Sequence, residues 1–230
     1  MGEMVTFPSN GGQAEGYLAV PDSGSGPGVA VIQEWWGLNQ QIKEVCDRYA
    51  AEGFVALAPD LYRGTEVSLQ EPDEAAKMMM ALNIEQAAKD MVGAIDYLHG
   101  HDAVTSDGVG VVGFCMGGGL ALWLGTLRPD AVKAVVSYYG IIPWPAAQPD
   151  YSKLGAAVQG HYAEDDDFAD PGSVRKLEEE LQGLGTSVEF FTYPGTDHAF
   201  ANHHRPEVFN EEHTRTAWER TIAFFRRHLT

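Results

Sequence analysis

Basic residues are scarce in this sequence: 15 Lys and Arg stand against 33 Asp and Glu, a formal charge of −18 at pH 7. So acidic a surface repels the phosphates of nucleic acid and of anionic lipid, and neither is expected as a partner. Cysteine is scarcer still. The two present, Cys46 and Cys115, cannot make a disulfide framework or a cysteine-rich zinc cage, so no metal site is expected and a reducing, cytoplasmic setting is the simplest. The N-terminal MGEMVTFPSN lacks the basic region and apolar core of a secretory signal. Its Gly2 and Thr6 match the myristoylation pattern, a match short enough to arise by chance. Charge is absent from residues 108–127, a run long enough to span a membrane, yet its seven glycines suit a strand, a turn and a helix start instead. Neither repeats nor linkers divide the chain, and 230 residues at 44% hydrophobic read as one domain over 1–230.

What is present is alternation. Short β-rich runs at 28–33, 54–59, 109–114, 133–140, 156–162 and 188–193 are interleaved with helical patterns at about 40–52, 84–100, 116–127, 171–183 and 211–228. The order predicts an α/β fold, a mostly parallel sheet with helices on both faces. MVTFPS and AEGYLAV, separated by NGGQ, predict an N-terminal antiparallel edge. Long loops are expected at 59–72, 140–153 and 194–207, and loops beyond the carboxyl ends of parallel strands are where such folds carry chemistry.

The stretch GVGVVGFCMGGGLALW places Cys115 between a strand and a helix with the spacing G-x-nucleophile-x-G, through Gly113 and Gly117. In such an elbow the nucleophile occupies a strained turn, and the flanking positions must be small because a side chain there would strike neighbouring backbone. The helix beginning at Met116 aims free N–H groups and its positive dipole end at the site, favouring a thiolate and an oxyanion. A buried structural cysteine in a glycine-rich helix is the alternative. Cys46, by contrast, lies among Ile42, Val45 and Tyr49 at helical spacing and reads as a core residue. A nucleophile needs a base and the base an orienting acid. HYAEDDDF supplies Asp165, Asp166 and Asp167, of which repulsion allows about one to turn inward. YPGTDHAF supplies His198, with His161, His203, His204 and His213 as rival imidazoles.

Taken together, QEWWG at 33–37, APDLY at 58–62, GFCMGG, HYAEDDDF and DHAF resemble the dienelactone hydrolase family of the α/β-hydrolase fold. The resemblance implies a Cys115–His198–Asp166 triad with no cofactor. It also implies an oxyanion hole from the N–H groups of Met116 and Trp35, and Glu34 pointing at Cys115, where a carboxylate would restrain the thiolate. Members of the family that cleave dienelactone tend to carry an arginine four residues beyond the catalytic histidine; here that residue is Asn202. Arg63, Arg205, His203 and His204 are candidate replacements, and a neutral ester or lactone is the alternative substrate. Substrate contacts are expected at Trp36, Tyr62, Arg63, Tyr139, Phe200 and Asn202, with Trp35, Tyr138 and Trp144 as further pocket aromatics. The expected activity is hydrolysis of a small ester or lactone through a thioester, by a monomer or small homo-oligomer. Rival readings are a thioesterase or acyltransferase on the same fold, a non-catalytic binding protein, and a redox sensor acting through Cys115.

Overall fold

The computed structural model describes residues 2–144 and 147–229; Met1, Thr230 and, within the loop expected at 140–153, Pro145 and Ala146 lie outside the described residues. Eight strands form one sheet: β1 (Glu3–Ser9), β2 (Gly12–Ala19), β3 (Gly26–Ile32), β4 (Val55–Pro59), β5 (Val104–Phe114), β6 (Val132–Tyr138), β7 (Ala157–Asp165) and β8 (Val188–Asp197). Their spatial order is β1-β2-β4-β3-β5-β6-β7-β8. β1 pairs antiparallel with β2, and β2 with β4, while every pairing from β4 through β8 is parallel. The antiparallel edge follows from its sequence: Asn10 and Gly11 take positive φ and turn the chain back in a tight hairpin.

Among the described residues six α-helices complete the architecture: α1 (Gln40–Ala51), α2 (Pro72–Met80), α3 (Ile84–His99), α4 (Met116–Leu127), α5 (Pro171–Gly183) and α6 (Glu211–His228). Two glycines on β5 show how they divide between the faces. A Cβ on Gly110 would strike Phe225 of α6, and one on Gly113, three residues further along the strand, would strike the backbone of α4. α1 joins α6 through Tyr49, which packs on Trp218 and Phe225, whereas α3 touches α4. Covered on both sides, β5 is buried from Gly108 to Phe114, which is why it reads as a continuous apolar run. The uncharged stretch 108–127 is thus strand, turn and helix, and no helix among the described residues is long and apolar enough to cross a membrane.

The structure departs from the sequence reading in three places. Residues 72–80 form α2, opened by Pro72 with Asp73 and Glu74 in its first turn; its run of methionines carries no helical period. β5 begins earlier, at Val104, where alternating exposure hides the strand from a search for apolar runs. β7 and β8 extend to Asp165 and Asp197, which puts their acidic ends close to the candidate site.

Candidate active site

Four helices begin with a side chain that satisfies their first N–H groups: Asn39 accepts from Ile42 at α1, Asn83 from Gln86 at α3, Asp170 from Gly172 and Ser173 at α5, and Asn210 from His213 at α6. At α4 the capping position is Cys115, which makes no such bond and sits at φ 55°, ψ −126°. A non-glycine residue in this region is strained, and such strain marks sites where a side chain is held for use. The surroundings hold the bend in place. Cys115 N–H donates to the Tyr138 carbonyl (3.0 Å), and Gly118 N–H to the Cys115 carbonyl (2.9 Å). A Cβ on Gly113 would lie 1.8 Å from the Gly117 carbonyl oxygen, and one on Gly117 would lie 2.4 Å from that of Gln33. These contacts are the physical reason for glycine two residues before and two after Cys115.

The N–H groups of Met116 and Trp35, the expected oxyanion donors, have no hydrogen-bond partner among the described residues. The loop that presents Trp35 is fixed by the other motifs. Gln33 Oε1 accepts from Leu61 N–H (3.1 Å), and Asp60 accepts from Tyr62 N–H (3.0 Å) and Gly64 N–H (2.5 Å). QEWWG and APDLY therefore lock the ends of β3 and β4 to each other.

Of the three consecutive aspartates, only Asp166 is buried. Its Oδ1 accepts from the N–H groups of Phe168 and Ala169, both at 2.8 Å, and its Oδ2 bonds His198 Nδ1 at 2.7 Å. The imidazole of His198 is gripped between the rings of Tyr139 and Phe168, with centroids 5.1 and 5.2 Å away. Burial disfavours a charged imidazolium here, but the nearby Cys115 sulfur and the hydrogen bond with Asp166 outweigh it, raising the His198 pKa to about 10. His198 and Asp166 are thus bonded across 32 residues of chain, and Cys115 lies close enough to act on the imidazole. The rival His161 is a core residue, bonded to Tyr193, Gln159 and Thr221, with a pKa pushed down to about 3 by burial and by Arg220.

Glu34 is buried, and burial drives its pKa up against the pull of Asn202, His198 and Tyr139. Its Oε1 accepts from the Tyr139 hydroxyl (3.1 Å) and its Oε2 from Asn202 Nδ2 (2.8 Å). Neither oxygen makes a hydrogen bond to Cys115 among the described residues. The structure thereby changes the reading of two expected substrate contacts, since Asn202 and Tyr139 are fully buried and hold Glu34 instead. Trp36 and Phe200 are likewise buried, and Tyr62 turns its hydroxyl toward the Met116 sulfur (3.6 Å). Of the further aromatics, Tyr138 bonds Thr221 and Trp144 donates to the Met79 carbonyl. Arg63 pairs with Asp90 (2.9 Å), Arg205 with Glu207 (2.9 Å), and His203 and His204 with Glu44 (2.9 and 2.8 Å). Sequence reasoning missed Phe168 and Ala169 as partners of Asp166. Their backbone N–H groups leave no trace in residue type.

A mostly parallel sheet with a strained elbow after its central β5, and a carboxylate-bonded histidine beyond β8, defines an α/β hydrolase. The chain belongs to the dienelactone hydrolase family: the model described as "Dienelactone hydrolase family" matches residues 14–229. "Protein usf" of Aquifex pyrophilus is 36% identical across the whole of both chains. A "Putative carboxymethylenebutenolidase" of Aquifex aeolicus is 32% identical, again over all of both. Among solved structures, a "Putative Dienelactone Hydrolase" from Klebsiella pneumoniae superposes with a TM-score of 0.87 at 26% identity, covering 99% of each chain.

Proposed function

We propose that this chain hydrolyses a small, uncharged carboxylic ester or lactone through a thioester formed on Cys115. The observation that carries the reading is the strained Cys115 at the start of α4, within interacting range of a histidine bonded to buried Asp166 at 2.7 Å. His198 takes the thiol proton, and the sulfur attacks the substrate carbonyl carbon. The carbonyl oxygen becomes an oxyanion, stabilised by the unpartnered N–H groups of Met116 and Trp35; each such donor contributes about 10²–10³ in rate. Collapse expels the alkoxide, which takes the proton from His198 and leaves the acyl group on sulfur. Water, deprotonated by the same imidazole, then cleaves the thioester and restores the thiol. Asp166 keeps the Nδ1 proton in place and stabilises the imidazolium.

The substrate class rests on charge. Each candidate replacement for the missing arginine already has a carboxylate partner: Arg63 with Asp90, Arg205 with Glu207, and His203 and His204 with Glu44, which disfavours an anionic substrate there. The carboxymethylenebutenolidase name of the Aquifex aeolicus relative supports a lactone ring as the scissile group, while the carboxylate in that name belongs to the relative's substrate and not to the class proposed here. The test is a panel of p-nitrophenyl esters, neutral lactones and dienelactone, assayed with the wild type and Cys115→Ala, with intact mass taken during turnover of a slow ester. The expected result is faster turnover of neutral substrates, an acyl adduct on the wild type, and loss of both in the variant. Wild-type rates in Cys115→Ala would overturn the mechanism, and preference for the anionic lactone would overturn the substrate class.

A further inference from the structure

On the loop that follows His198, two adjacent histidines meet a carboxylate from a different element. His203 Nε2 lies 2.9 Å and His204 Nε2 2.8 Å from one oxygen of Glu44, on α1. The ligand atoms of all three lie within 4.8 Å of one another. The imidazoles stand almost perpendicular, at 88° with centroids 4.5 Å apart, and so approach the carboxylate from two directions.

We propose that Glu44, His203 and His204 form a binding site for a divalent transition-metal ion such as Zn²⁺, which ties the His198 loop to α1. Two imidazole nitrogens and one carboxylate oxygen are a ligand set that Zn²⁺ takes with water in the fourth position. Around a tetrahedral ion at about 2.0–2.1 Å, neighbouring ligand atoms stand about 3.3–3.4 Å apart. The nitrogen–oxygen gaps need to open by only about half an ångström from their hydrogen-bonded distances for the ion to replace the shared protons. The carboxylate is already oriented, because its other oxygen accepts from Gln40 Nε2 (3.1 Å). The loop is oriented too: His204 N–H donates to Asn202 Oδ1 (3.0 Å) and Arg205 N–H to the Asn202 carbonyl (3.0 Å). All three side chains are part-exposed, at 30–37%, so an ion can reach them from solvent. One carboxylate and two neutral imidazoles suit a dication, and the overall charge of −18 attracts it.

The cluster is separate from Cys115 and His198, and the inference does not rest on the hydrolase reading. Cys115 is nevertheless a competing soft ligand, so the experiment must tell the two apart. The full-length chain, stripped of metal, is titrated with Zn²⁺ by calorimetry and with Co²⁺ by absorbance. One ion should bind per chain, with a Co²⁺ spectrum free of thiolate charge transfer. At 100 times the dissociation constant the melting temperature should rise by about 5–10 °C. His203→Ala/His204→Ala should lower the affinity at least about 10-fold, and so should Glu44→Gln, which retains a hydrogen-bonding side chain should the double variant fold poorly. Cys115→Ser should leave binding unchanged. Absence of saturable binding, binding unaltered by the double variant and Glu44→Gln, or a charge-transfer band lost in Cys115→Ser would each overturn the proposal.

Discussion

His161 is fully buried and His198 half-buried on the C-terminal side of the sheet, and their surroundings drive them in opposite directions. His161, inside β7, meets a phenol, an amide and a hydroxyl, and sits near Arg220; it stays neutral, with a pKa near 3. His198, beyond the end of β8, meets Asp166 and Cys115, and its pKa is raised to about 10. Burial penalises the cation at both positions, so the neighbouring charges decide between them. Within a strand body the partners of a histidine are the neutral groups of the core; beyond the strand end, loops can aim ionised groups at it.

The comparison fails first if Cys115 does not act on His198. Cys115→Ala should reduce ester turnover by at least about 10⁴-fold, measured in steady state, and should lower the His198 pKa followed by NMR. Asp166→Asn removes the carboxylate bonded to His198 Nδ1 and lets the imidazole choose the wrong tautomer. We expect kcat to fall by about 10³–10⁴-fold with the fold retained by circular dichroism. A fall of less than tenfold would show that Asp166 is not the orienting acid.

His161→Gln should do the reverse: activity within about twofold of wild type, but a loss of about 1–3 kcal/mol in urea unfolding, because Tyr193, Gln159 and Thr221 lose their shared partner. The pH dependence carries the sign. His161 has a depressed pKa, so the unfolded chain takes up its proton first, near 6.5. Its contribution is complete above that value and is lost as pH falls toward about 3. His198 has a raised pKa, so its contribution is complete below about 6.5 and is lost as pH rises through about 10. Unfolding measured from pH 4 to 7 should therefore be less pH-dependent in His161→Gln than in wild type, with the alkaline limb unchanged.

How much of this was legible in the sequence depends on the kind of contact. The elbow was, because the crowding at Gly113 and Gly117 is local and admits no other residue. α4, α5 and α6 were legible too, their observed bounds coinciding with the helical patterns expected at about 116–127, 171–183 and 211–228. Asp166 could be picked from Asp165 and Asp167 only by family resemblance, since the donors that fix it are backbone groups. The bond from Asn202 to Glu34 was illegible for a different reason. Glu34 lies 168 residues away from Asn202, beyond the end of the central β3, and both belong to loops whose meeting no local pattern encodes.

The smallest effect bears on Glu34. A charged carboxylate within reach of the sulfur would disfavour the thiolate, while the same charge would favour the His198 cation, so that the two influences oppose each other. Glutamine fits the site without an orphaned group: its amide oxygen can accept from Asn202 Nδ2 and its amide nitrogen can donate to the Tyr139 hydroxyl oxygen. Glu34→Gln thus removes charge while keeping the packing, and iodoacetamide alkylation of Cys115 reads the balance. If repulsion of the thiolate dominates, the variant should alkylate about 3–10-fold faster near neutral pH, a difference of at most about 1.4 kcal/mol. Slower alkylation would mean that Glu34 acts chiefly by holding the histidine charged, and a rate unchanged across pH would remove Glu34 from the control of the thiol altogether.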